Sequence, residues 1–150
     1  MSQQIAASVY MITLNEENNV AESLASVADF AEVIIVDSGS TDRTIAIAQG
    51  FPNVRVFHND WPGVSEQKAY AMSLCSQPWV FNLDADELPT PDFLDEARML
   101  IKADTHDALE SNRTLIRWGQ QPKNFSKNDR LIRFFRKTCG HYEVRRVHES

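Results

Sequence analysis

Val33–Thr44, VIIVDSGSTDRT, is the stretch from which the fold can be read. Val33 to Val36 are four consecutive apolar residues without polar alternation, the pattern of a short strand covered on both faces. The run stops at Asp37, and DSGSTD reads as a loop that becomes a helix start. Ser40 or Thr41 is placed to cap a helix carrying Ile45, Ala46 and Ala48, which Gly50 and Pro52 would end.

The same order of strand, polar loop and helix recurs on either side. Upstream, Val9 to Leu14 is an apolar, partly β-branched run, followed by NEENN and a helical pattern with Val20, Leu24 and Val27 on one face. Downstream, Val54 to Phe57 gives a third strand. Pro62 and Gly63 then mark a loop before a helix holding Gln67, Lys68, Ala71 and Leu74. The fourth strand opens WVFNLDADE, Trp79 to Glu87. Thr90 as cap and Pro91 at the first helical position then start a helix with Phe93, Ala97, Leu100 and Ile101 inward.

Four strands alternating with helices predict an α/β fold with a mostly parallel sheet, whose ligands bind beyond the carboxyl ends of the strands. NEE, DSGSTD and DADE all follow strand ends, so the fold would gather them at one edge. After Asp107 the rhythm changes to strand-like runs, Thr114 to Trp118 and Leu131 to Phe135, which read as antiparallel additions. We therefore expect one domain, with residues 1–107 as a βα half and 108–150 as a partial second half.

A chain of 150 residues, 43% hydrophobic and 24% charged, is of ordinary globular composition and can bury one core. No apolar run approaches the ~20 residues of a membrane span, and no basic region precedes the first apolar stretch. A cytoplasmic location is the expectation. Cys75 and Cys139 have no metal-binding spacing and read as incidental thiols in a reducing compartment. Residues 1–112 carry a balance of -13 and residues 113–150 one of +7. The basic segment, with Arg130, Arg133, Arg136, Arg145 and Arg146, would fold over a bound polyanion, meet an anionic membrane surface, or pair with the acidic body. The acidic body opposes nucleic acid.

Asp84 and Asp86 lie two apart, so on an extended backbone they would share one face where the fourth strand ends. Two hard oxygen ligands suit Mg²⁺ or Mn²⁺ held jointly with phosphates. Asp also favours turns and helix starts, which is the competing reading.

ITLNEE, VIIVDSGSTDRT, QKAYA and FNLDADE together, spanning roughly Ser8 to Pro91, resemble the nucleotide-sugar-binding part of an inverting family 2 glycosyltransferase with the GT-A fold. DADE with the upstream Trp61 to Lys68 pattern is most similar to the lipopolysaccharide-core β-glucosyltransferase branch. The resemblance implies a nucleoside-diphosphate sugar donor, with a UDP-sugar expected, and a saccharide or glycolipid acceptor of cell-envelope synthesis. Asp37 would accept hydrogen bonds from the base or ribose, as an ionised acceptor can; its other role would be turn formation. Thr13, Asn15 and Glu16 would line the wall beside the base, or simply start the first helix. Ser38, Ser40 and Asp42 would shape their loop. Lys68 would approach the diphosphate, and Asp84 and Asp86 the metal, Mg²⁺ or Mn²⁺. The catalytic base should come from the later part of the chain, and Glu149 in VHES, with His148 beside it, is the candidate.

GT-A catalytic domains usually extend further, so a fragment or reduced form is expected. Two other readings keep the same residues. One is a nucleotide-sugar-binding module that is inactive alone. The other is a Toprim-like metal nuclease or primase domain, imitated by Glu16 and the Asp-x-Asp pair.

Overall fold

The computed structural model describes residues 4–104, 107–112, 116–118 and 130–139. The chain runs β1 (Ile5–Thr13), α1 (Val20–Ser26), β2 (Phe30–Asp37), α2 (Thr44–Ala48), β3 (Val54–His58), α3 (Val64–Ser73) and β4 (Trp79–Asn82). It continues with β5 (Glu87–Pro89), α4 (Pro91–Ala103), β6 (Ala108–Asn112), β7 (Ile116–Trp118), β8 (Arg130–Arg136) and a 3-10 turn at Lys137–Cys139. Among the described residues the main sheet has the order β3-β2-β1-β4-β8-β6. The β1–β2, β2–β3 and β1–β4 pairs are parallel, while β8 joins β4 and β6 antiparallel. A small ribbon of β5 and β7 stands apart from it.

The period of two along the strands divides the core. Val9, Met11, Val33, Ile35, Trp79 and Phe81 point to one face, where Val20, Leu24, Ala48, Phe93 and Ala97 from α1, α2 and α4 cover them. Tyr10, Ile34, Val36 and Val80 point to the other and meet Ala71 and Met72 of α3. Phe81 is the hub of the larger cluster, with ring centroids 5.7 Å from Phe30, 4.9 Å from Phe93 and 6.2 Å from Phe134. Cys75 is buried beside the smaller cluster, and burial, reinforced by the nearby Glu32 charge, pushes its thiol up to about 12.

Each βα unit read from the sequence is present, with altered limits. β1 starts at Ile5 rather than Val9 and ends before Leu14, which is 52% exposed. β2 starts at Phe30 rather than Val33. Neither Ser40 nor Thr41 caps α2; the helix starts later, at Thr44, and Ser40 binds Asp37 instead. Thr90 does cap α4, its hydroxyl accepting the Phe93 N–H at 3.2 Å with Pro91 following. The strand β6, whose sequence ALESN lacks a β-branched run, has no counterpart in the sequence reading.

Phe81→Ala should lower stability by about 3–5 kcal/mol, the usual cost of emptying a buried aromatic site, as measured by urea denaturation.

Candidate functional site at the carboxyl edge of the sheet

In the parallel register, Thr13 lies beside Asp37 and Asp37 beside His58, so β1, β2 and β3 end together. Thr13 donates its hydroxyl to Asp37 Oδ1 at 2.7 Å. Asp37 Oδ1 also accepts the Ser40 hydroxyl at 2.6 Å, and Oδ2 accepts the Gly39 and Ser40 N–H groups at 2.8 and 2.7 Å. This fully buried carboxylate therefore organises its own loop, and a nucleoside that reached it would have to replace one of these bonds. Burial pushes the Asp37 carboxyl up, but the hydrogen bonds from Ser40, Thr13 and Gly39 outweigh it and leave it below its ordinary value.

The NEE loop is laced to the same segment. Asn15, with φ at 55°, accepts the Thr41 N–H on its side-chain oxygen at 2.8 Å, and its own N–H donates to the Ser40 hydroxyl oxygen at 2.8 Å. Asn tolerates that left-handed conformation better than most residues. The Glu16 and Glu17 N–H groups donate to Thr44 Oγ1 and Asp42 Oδ2 at 2.7 and 3.2 Å. Asp42 also accepts the Thr44 N–H and hydroxyl, in keeping with a loop-shaping role.

β4 ends at Asn82, before the carboxylates, which corrects the expectation that Asp84 and Asp86 share the face of an extended strand. They occupy a turn instead, closed by the Glu87 N–H donating to the Asp84 carbonyl at 3.0 Å. Lys68, reaching over from α3, places its Nζ 3.6 Å from Asp84 Oδ1. Burial pushes the Asp86 carboxyl up, and the Asp84 charge adds to it. Burial likewise raises Glu16, with the charges of Asp86, Asp84 and Asp42 contributing against the Asn19 hydrogen bond. Asp84, Asp86, Glu16 and Lys68 thus belong to one electrostatic neighbourhood.

The particular partners of several buried or charged side chains were not legible in the sequence. Glu87 is fully buried and receives a forked ion pair from Arg133, whose Nη2 lies 2.9 Å from Oε2. Arg133 therefore faces an internal carboxylate, one of the three roles expected for the basic segment. Arg136 is likewise engaged, with Asp107 at 2.9 Å, with Asp104, and over the Trp79 ring at 4.5 Å. Both belong to the reading in which basic residues pair with the acidic body. Gln67 is buried and exchanges hydrogen bonds with the Asn59 side chain and carbonyl at 2.8 and 3.1 Å, which fixes the face of α3 that presents Lys68. Glu149, His148, Arg145 and Arg146 lie outside the described residues.

The model of the family described as "Glycosyl transferase family 2" matches residues 8–148. The chain belongs to glycosyltransferase family 2. It is 36% identical over 164 residues to the lipopolysaccharide core biosynthesis glycosyltransferase LpsC of Rhizobium meliloti, covering 100% of this chain and 58% of that protein. Among solved structures it is similar to S. aureus TarS 1-349 in complex with UDP-GlcNAc, with TM-score 0.61 and 26% identity over 68% of this chain and 32% of the other. It is also similar to glucosyl-3-phosphoglycerate synthase from Mycobacterium tuberculosis in complex with Mn²⁺, UDP and glucosyl-3-phosphoglycerate, with TM-score 0.52 and 28% identity over 60% and 37% of the two chains. The fold is the GT-A fold of these transferases. The chain spans about half the length of the curated relatives it matches. Family membership leaves the Toprim-like reading without support. Among the described residues no helix is long and apolar enough to cross a membrane.

Asp37 gives a signed prediction. Its folded-state carboxyl titrates below the ordinary 3.8, so its contribution to stability is present above that pH and is lost as the pH falls through the lower folded value. Asp37→Asn should reduce stability at pH 7 and flatten the acid limb below about pH 4 relative to wild type, as read by denaturant melts across pH.

Proposed function

We propose that the chain binds a nucleoside-diphosphate sugar, with UDP as the expected nucleotide, at the carboxyl edge of its sheet and serves inverting transfer of a hexose to a saccharide or glycolipid acceptor in lipopolysaccharide-core or related envelope synthesis. The observation that carries this is Lys68 meeting the DADE turn at 3.6 Å beside the joined NEE and DSGST loops. An ammonium there suits a phosphate, and it lies beside Asp84, one of the carboxylates that would hold the cation.

The residues fit a metal ion held jointly with substrate. Asp84 and Asp86 are partly exposed carboxylates, and a cation would relieve the repulsion between them. Among the described residues no group of three or more His, Cys, Asp or Glu is arranged to hold a metal alone. Mg²⁺ and Mn²⁺ bound by one or two carboxylates commonly take phosphate and water oxygens as remaining ligands. When bound, the cation would neutralise charge on the departing diphosphate. Support for the ligand classes comes from the UDP-GlcNAc complex of TarS and the Mn²⁺ and UDP complex of glucosyl-3-phosphoglycerate synthase.

Thr13, Asn15, Glu16 and the Asp37 loop would form the nucleoside side of the pocket, with Lys68 on the diphosphate. Glu149 would take the proton of the acceptor hydroxyl as that oxygen attacks the anomeric carbon opposite the leaving diphosphate, which inverts the centre. The rest of the basic segment, Arg145 and Arg146 included, would face an anionic acceptor or membrane surface. The share of the relatives' length that the chain spans favours a second reading on the same residues, a donor-binding module that works with a further segment or partner.

Asp84→Asn and Asp86→Asn should each abolish Mn²⁺-dependent UDP-sugar binding in calorimetry while leaving the circular dichroism spectrum unchanged; unchanged affinity would sink the cation assignment. Glu149→Gln should lower transfer by about 100-fold or more, on the scale of general-base catalysis, with donor affinity intact. Binding by the wild type without turnover on any acceptor would select the module.

A further inference from the structure

The loop from Leu83 to Asp86, which carries both candidate cation ligands, is gripped at its two ends by one side chain. On the entering side, Arg133 Nη1 donates to the carbonyl of Asn82, the last residue of β4, at 3.4 Å. On the leaving side the same guanidinium forks onto both oxygens of Glu87, the first residue of β5. Glu87 Oε1 in turn accepts the Asp84 N–H at 2.9 Å, inside the loop itself. The Glu87 carbonyl accepts the Ser23 hydroxyl at 3.0 Å, which ties this end of the loop to α1. The backbone that carries Arg133 is anchored, because its neighbour Phe134 is in register with Phe81 and both are fully buried.

We infer that the buried Arg133–Glu87 pair sets the shape of the Asp84–Asp86 turn, making Arg133 and Glu87 positioning residues for the carboxylates that take the cation. This rests on the donor-site reading above, but the pinning itself is a property of the ligand-free chain. A guanidinium that holds a planar fork fixes angle as well as distance, which an ammonium cannot do. The Asp84 backbone is then oriented by a bond from a carboxylate that has no exposure of its own. Groups of this kind, one bond removed from a metal ligand, commonly change metal affinity by about 10- to 100-fold when removed.

The test replaces both partners at once, since removing either alone strands a buried charge. Glu87→Leu combined with Arg133→Met should fold, by circular dichroism and thermal melting, and should bind UDP in the presence of chelator as the wild type does. It should nevertheless lose about 10- to 100-fold in Mn²⁺ affinity measured with UDP by electron paramagnetic resonance, and its Asp84 amide should exchange hydrogen faster without any ligand. A folded double variant with wild-type Mn²⁺ affinity, or with a wild-type Asp84 exchange rate, overturns the inference. If the double variant does not fold, Arg133→Lys, which keeps the charge without the fork, serves in its place, and full Mn²⁺ affinity in that variant overturns the inference equally. If the wild type takes up no Mn²⁺ with UDP while the Asp84 amide is loosened in the variant, the donor-site reading fails and the pinning stands.

Discussion

The parallel pairing of β1 with β2, which brings Thr13 level with Asp37, is the constraint from which the rest of the site follows. Because both strands end at one level, their loops must rise side by side, and each supplies the hydrogen-bond partners the other lacks. The backbone N–H groups of Asn15, Glu16 and Glu17 and the Asn15 side chain bond to Ser40, Thr41, Asp42 and Thr44, while the Glu16 carbonyl accepts from the start of α1. β4 behaves differently. Its last residue, Asn82, is in register with Tyr10, three residues short of Thr13, so the DADE turn leaves the sheet about 10 Å lower at ~3.3 Å per residue. The NEE loop therefore stands over the turn, which explains why the Glu16 carboxyl feels the charges of Asp84 and Asp86.

The charge asymmetry along the chain has a partial resolution in this arrangement. Arg133 and Arg136 lie on one strand yet serve different carboxylates: Glu87 in the interior, and Asp104 and Asp107 near the surface. The interior pair carries the greater structural consequence, because an unpaired charge in a dry site is costly, whereas exposed pairs are worth at most about 1 kcal/mol. Among the described residues, Lys68 pairs with Asp84 at the turn, and the Arg133 charge also acts on Asp86. Such an acidic edge is poorly suited to a long phosphate backbone.

The sequence is most legible where one local signal decides the outcome. Continuous apolar runs identify the middles of β1 to β4, and Thr90-Pro91 identifies the start of α4. It is less legible at strand beginnings, where Ala7 and Ser8 have weak strand preference and are held by pairing with neighbours. Ser40 illustrates a second limit. It looks like a helix cap, but its hydroxyl oxygen accepts the Asn15 N–H while its proton goes to Asp37, and the chain turns further before α2 begins. The alternation argument for Asp84 and Asp86 assumes that the strand continues. Glu87 ends it early, because its own N–H and carboxylate both fold back on Asp84. Nothing local could have matched Glu87 with Arg133, 46 residues away, among several available basic residues.

That long-range match changes how the motif-bearing segment is to be understood. The motifs read from the sequence lie between Ser8 and Pro91, yet the strand that completes their geometry begins at Arg130, within the residues 8–148 that match the family. Without β8, β4 would become an edge strand with its outer hydrogen-bonding groups unpaired. Phe81 and Phe93 would lose the ring of Phe134, and Glu87 would be left as a carboxylate with its forked partner gone. A buried carboxylate in that position would take up a proton or draw in water, and either event would release its hold on the Asp84 backbone. The antiparallel strand is thus an integral part of the carboxylate site, and the parallel βα units alone do not define it.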